Sequence, residues 1–223
     1  MKKTFISFLL FFLTANLFAQ MPSMPTIPDY TFRLGLTAHP TIGWVKPKVG
    51  KSNGVSLGFS YGLLGDFNFA ENYSFATGLT ITTINGRSTE AFTENGAGAV
   101  PVQGTNEYKY KLQYLEIPVT VKLKTTKIGD VRWYGQFGLS NDFKLGDKLD
   151  TKSSGRPDII DADAGVTFYR AGLILGAGGE FDIAGNTSIF GGLTYNNGFT
   201  DITKNKNSNV RNHYLGINFG VFF

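Results

Sequence analysis

The sequence predicts an all-β fold, an eight-stranded antiparallel transmembrane β-barrel with short periplasmic turns and longer external loops. Three observations carry that expectation. From Val55 the apolar residues fall on alternate positions, Val55, Leu57, Phe59, Tyr61 and Leu63, with Ser56, Gly58, Ser60 and Gly62 between them, so one face is oily and the other small or polar. Beyond the first 20 residues no stretch offers the roughly 18 consecutive apolar residues of a spanning helix. The composition is rich in Gly (28), Phe (20) and Tyr (10), only 17% charged, and suits many strands and turns. A chain with these properties crosses lipid only as a closed sheet, because closure satisfies every backbone N–H and C=O.

The elements follow in order. Lys2 and Lys3 precede an apolar run from Phe5 to Leu13, and Ala19 offers a small residue for cleavage; this reads as a signal peptide over residues 1–19, followed by a short segment, 20–30, and a barrel domain, 31–223. The formal net charge of +4 includes both leader lysines, so the exported chain is nearly neutral and no nucleic-acid partner is expected. Absence of cysteine excludes disulfides, thiolate metal sites and a lipidated N-terminal cysteine.

Alternation predicts strands near 31–45, 54–69, 73–85, 107–124, 131–141, 166–183, 187–200 and 210–223, each long enough to span a bilayer. The connections 70–72, 125–130 and 184–186 are short; 46–53, 86–106, 142–165 and 201–209 are longer. That asymmetry places the short turns in the periplasm and the chain in the cell outer membrane. Phe67, Phe69, Tyr73, Phe181 and Phe222 would form one aromatic girdle, and Trp44, Tyr108 and Tyr110 the other. In the fourth strand Tyr108, Tyr110, Leu112 and Tyr114 share one parity, while Leu115, Ile117, Val119, Val121 and Leu123 share the other; a β-bulge near Tyr114-Leu115 would reconcile them. Pro118, lacking a ladder donor, fits a disturbed spot.

Within that strand Tyr114-Leu115-Glu116-Ile117-Pro118 resembles the most recognisable motif of the PorT-like outer-membrane barrels of Bacteroidetes. The stretches LILGAGGEF (Leu173 to Phe181) and LTYNNGFTDI (Leu193 to Ile202) are similar too, so the resemblance covers essentially the whole exported chain. It implies an integral outer-membrane barrel without catalytic residues or cofactors, in contact with outer-membrane lipid. It also implies a role with secretion or cell-envelope proteins, through assembly of a type IX-like secretion machine.

The remaining constellations weigh against chemistry. Gly54-Val55-Ser56-Leu57-Gly58 matches GxSxG, but no helix follows the serine, as a nucleophile elbow requires. His39 has lumen parity and His213 outward parity, so they do not converge on a base. The acids Asp142, Asp147, Asp150, Asp158, Asp161 and Asp163 suggest a weak calcium loop without the EF-hand series; a solvated external loop is the better reading, and no metal is expected. Gly176 to Gly179 lies within a strand and is no phosphate cradle.

The inward parity says more. Gly65 to Thr80 and Gly179 to Thr194 repeat one phrase, which places Asp66 and Glu180 at equivalent lumen positions near the short turns. Arg33 beside Asp66 and Arg132 beside Glu180 are the expected pairs. Glu116 and Arg170, with Lys111, Gln113, Tyr134 and Gln136, would complete a polar plug, since eight strands leave an interior just wide enough for side chains. The leading function is then a structural or partner-binding barrel and not an enzyme. A lipid-modifying enzyme and a narrow solute pore are the alternatives.

Overall fold

The computed structural model describes residues 32–95, 101–184, 187–204 and 209–223. The predicted signal peptide and the segment 20–30 lie outside them, as does the turn at 185–186. Among the described residues nine strands run in order: β1 (Phe32–Pro47), β2 (Lys51–Ala70), β3 (Tyr73–Asn95), β4 (Pro101–Lys124), β5 (Val131–Ser153), β6 (Ile159–Ala162), β7 (Tyr169–Ala184), β8 (Thr187–Gly198) and β9 (Val210–Phe222). Eight of them close a ring of antiparallel pairs, β1-β2-β3-β4-β5-β7-β8-β9 and back to β1, with β6 attached to β5.

Alternation decides the faces. In β1, Leu34 and Leu36 are exposed while Thr37, His39 and Thr41 are buried, an oil-out, polar-in arrangement that is stable only against lipid. The outer wall of β2, β3 and β5 is likewise built from Leu57, Phe59, Leu63, Phe75, Leu79, Phe137 and Leu139, all exposed.

Two hairpins outrun the expected strands. The β3–β4 ladder continues from Arg87↔Lys109 to Asn95↔Pro101, and β4 pairs with β5 as far as Asn106↔Ser153. The segments 86–106 and 142–165 are therefore largely strand, not loop. Past the lipid both faces are hydrated, so hydrophobic alternation fades although backbone pairing does not. At the other end the 125–130 connection turns through Gly129, whose φ of 64° favours a residue without Cβ.

The fourth-strand expectation needs correction. Tyr110, Leu112, Tyr114, Glu116, Thr120, Lys122 and Lys124 are all buried, so one parity faces the lumen throughout β4. The β3–β4 register passes unbroken through Ile81↔Leu115, Thr82↔Tyr114 and Thr83↔Gln113. The register shift lies instead in β5: Gln113 pairs with Gly146 but Tyr114 with Lys144, which leaves Leu145 as the extra residue. What changes along β4 is the lumen itself, which is apolar and aromatic at the long-connection end and charged at the other. Tyr108 and Tyr110 consequently belong to the interior, not to a girdle, and Phe222 is buried too.

The apolar half is closed by chain as well as by side chains. Val166 and Ile202, both fully buried, come from the connections after β6 and β8 and join Val45, Ile84, Tyr110, Leu112, Tyr114, Val210 and Tyr214. A bridge from Val166 to Thr203, and hydrogen bonds from Thr167 N to Ile202 O (2.8 Å) and from Lys204 N to Gly165 O (3.1 Å), hold these connections together across the mouth.

Candidate functional site

The site is the charged half of the lumen, near the short turns. β1 and β2 pair Arg33 directly with Asp66, and Arg33 Nη2 donates to Asp66 Oδ2 at 2.9 Å. The same nitrogen donates to Glu180 Oε2 of β7 at 2.8 Å. From β4, Lys122 donates to Asp66 at 3.2 Å and also to Glu180, and Lys124 reaches Asp66 at 3.2 Å. Three cations thus surround two carboxylates that are 1% exposed. Lys122 sits 4.3 Å from the Tyr134 ring centre and 4.9 Å from that of Phe222, and Arg33 lies 4.6 Å from the latter, so the excess positive charge rests on aromatic faces.

Arg132 is the exception among the expected pairs. It stands opposite Glu180 in register, yet its guanidinium lies 3.8 Å from Asp182 and is 43% exposed. Glu180 faces across the lumen instead, where Arg33 and Lys122 reach it in the buried interior. Lys122 and Lys124 escaped the sequence reading; their parity with Glu116, opposite the oily Val121 and Leu123, was the available signal.

Glu116 and Arg170 occupy a second layer, nearer the long connections. Arg170, wholly buried, pairs with Asp142, its direct cross-strand neighbour, and donates to Asn196 Oδ1 (2.9 Å) and Asn212 O (3.0 Å). A Cβ at Gly198 would collide with the Arg170 guanidinium and the Asn212 carbonyl. Glu116 accepts from the Tyr214 hydroxyl at 2.8 Å. The glycine run of β7 has a comparable role, because a Cβ at Gly178 would strike the Tyr134 ring.

The pentapeptide thus splits by face: Tyr114 and Glu116 are buried, and Val119 beyond it is exposed. At Pro118, where no N–H exists, the Thr77 hydroxyl donates to the proline carbonyl at 2.8 Å. Lys111 and Gln113 do not join the plug. Lys111 binds Asp150 (2.8 Å) and Asp161 (3.0 Å) outside the lumen, and Gln113 is exposed.

Between the two layers lies a chamber of about 80 Å³ lined by His39, Glu116, Lys122, Tyr134, Thr194 and Tyr214 among others, room for a few waters. His39 contacts Thr37 there at 3.2 Å, whereas His213 stacks on Trp44 on the outer wall at 5.8 Å. Ser56 sits inside β2, which continues as strand to Ala70. The acidic stretch is neutralised by its neighbours: Lys111 and Lys148 each hold an Asp161 oxygen at 3.0 Å, and Asp142 is buried inside the barrel. Among the described residues no cluster of acids and histidines is arranged for a metal.

A family model described as "Outer membrane protein beta-barrel domain" matches residues 18–204. The chain is similar to the solved structure of Neisserial surface protein A, NspA, at 16% identity and a TM-score of 0.47, covering 86% of this chain and 95% of that one. It is also similar to OprG from Pseudomonas aeruginosa, at 12% identity and a TM-score of 0.37 over 86% and 95% of the two chains. For Ail of Yersinia pestis, solved with the heparin analogue sucrose octasulfate, the identity is 16% and the TM-score 0.34 over 85% and 98%. No curated protein matches the sequence. An oily wall closed into a ring of eight strands, around a lumen of paired charges, is joined by a family model spanning most of the chain: this protein belongs to the outer membrane protein beta-barrel domain family and lies in the outer membrane.

Proposed function

We propose that the barrel is a non-enzymatic anchor that holds an external blade against a cell-envelope partner, and that it serves secretion-machine assembly as the PorT-like resemblance implies. The observation that carries this reading is the extension of β3, β4 and β5. They run 23, 24 and 23 residues, whereas about 9–11 tilted residues cross a bilayer. Roughly half of each strand therefore stands clear of lipid, at the end that carries the long connections. A rigid ladder of this length, edged by Arg87, Glu90, Glu107 and Lys109, presents both backbone and charge to a partner.

A lumen blocked by two charge layers and an apolar mouth favours an anchor over a pore, and the opposite faces of His39 and His213 disfavour lipid-modifying catalysis. The test replaces residues 89–107 with an Asn-Gly turn, which keeps Ser88 paired with Tyr108. Heat-modifiable migration should survive, because the membrane crossing is untouched, while the set of secreted proteins should match that of a deletion strain. An unchanged secretome in both strains removes the secretion role. A steady conductance of the intact chain in planar bilayers would favour the pore.

A further inference from the structure

A second charged feature lies on the lipid-facing wall, at the seam where β9 meets β1. Lys46 of β1 and Arg211 of β9 are direct cross-strand partners, and both are exposed. Their neighbours Val45, Val210 and Asn212 are buried, so the two cations share the outward face. Like charges directly opposite on a sheet repel, and here a third cation joins them. Lys48 follows at the strand end, where its N–H is held by Asn209 O at 2.7 Å. Together with Asn197, Asn209 and His213 these residues line a cleft of about 490 Å³ whose lining, among the described residues, contains no carboxylate.

The cleft has a defined depth. Immediately toward the membrane, Trp44 stacks between Tyr195 (6.0 Å) and His213 (5.8 Å). Tryptophan and tyrosine mark the level at which hydrocarbon gives way to headgroups. Cations one step above them sit at headgroup depth, on the side bearing the long connections, and face sideways into the leaflet instead of upward into water.

We propose that this cleft binds the phosphorylated headgroup of an outer-leaflet lipid, with Arg211 and Lys46 meeting the phosphate, Lys48 closing over it, and Trp44 and Tyr195 supporting the lipid below. A phosphate resolves the repulsion of the paired cations, and the planar guanidinium of Arg211 offers it two parallel N–H donors. The lateral aspect selects a lipid over a soluble partner.

The test uses the full chain in detergent and a diphosphorylated glycolipid as probe, with retained lipid read by native mass spectrometry. Trp44 fluorescence in a Trp133→Phe background reports the same event. The parent should retain the phosphorylated lipid and release its dephosphorylated form. Each cation beside an anionic surface contributes about a fivefold change in binding, so Lys46→Gln/Lys48→Gln/Arg211→Gln should weaken retention on the order of a hundredfold. A charge-matched control, Lys51→Gln/Lys127→Gln/Lys152→Gln, should change it by less than about threefold, with heat-modifiable migration confirming folded barrels. Equal retention of the phosphorylated and dephosphorylated lipids by the parent overturns the proposal, a result that needs no variant to fold. So does equal loss in the control, or saturation by inorganic phosphate without lipid retention.

Discussion

Glu180 shows how far a single carboxylate can organise this protein. Its oxygens meet Arg33 and Lys122 from opposite parts of the ring, and breaking a buried pair leaves an uncompensated charge worth about 3–5 kcal/mol. Glu180→Ala should therefore lower unfolding stability by about that much in urea titrations of the refolded barrel. Arg132→Ala, which removes only a half-exposed contact to Asp182, should cost less than about 1 kcal/mol. Similar losses for the two variants would mean that the cluster carries no special weight. The contrast also marks what was legible at this scale. Arg33 and Asp66 are neighbours through strand register alone, which periodicity reveals. Contacts across the lumen depend on the diameter and stagger of the closed ring, which no local pattern encodes.

At the scale of the element, the eight crossings could be read from alternation, but their ends and one internal slip could not. Beyond the bulge at Leu145, Leu149 packs against the apolar mouth. Deleting Leu145 would keep Gly146 on Gln113 and Leu149 on Tyr110, still inward, whereas one alanine inserted after Gly146 would turn Leu149 outward, losing about 1–3 kcal/mol of burial. The expected readout for the insertion is faster hydrogen exchange over 147–153 with little change over 131–141; uniform protection would argue against an inward Leu149. β6 offers a test by pH. Asp161 lies outside the membrane-crossing strands, and the ammonium groups of Lys148 and Lys111 hold its carboxyl below the ordinary value. A depressed carboxylate contributes fully above its unfolded pKa, about 3.9, and loses that contribution as pH falls through the folded value. Amide protection of Ile159–Ala162 should thus persist at pH 5–7 and fade below about pH 4, and Asp161→Asn should abolish that pH dependence. Fading that survives in Asp161→Asn would assign the effect to another group.

For the whole molecule, ring closure makes every strand depend on two neighbours, and the charge cluster adds ties among β1, β2, β4 and β7. Trp44 in β1 and Trp133 in β5 lie toward opposite ends of the barrel, so single-tryptophan variants should unfold with coincident midpoints. Separated midpoints would show that the apolar and charged halves melt independently. The fold as a whole was legible because lipid enforces a simple period of two; the mouth was not, since Val166, expected to open a strand, and Ile202 enter it from the connections after β6 and β8. The reach of Arg33 has one more consequence. One of its carboxylates arrives 147 residues later in the chain, so a nascent sheet that has yet to acquire its seventh strand carries a guanidinium only half neutralised. Such an incomplete sheet is poorly soluble in hydrocarbon, so burial of Arg33 in the membrane becomes favourable only once β7 brings Glu180 to it.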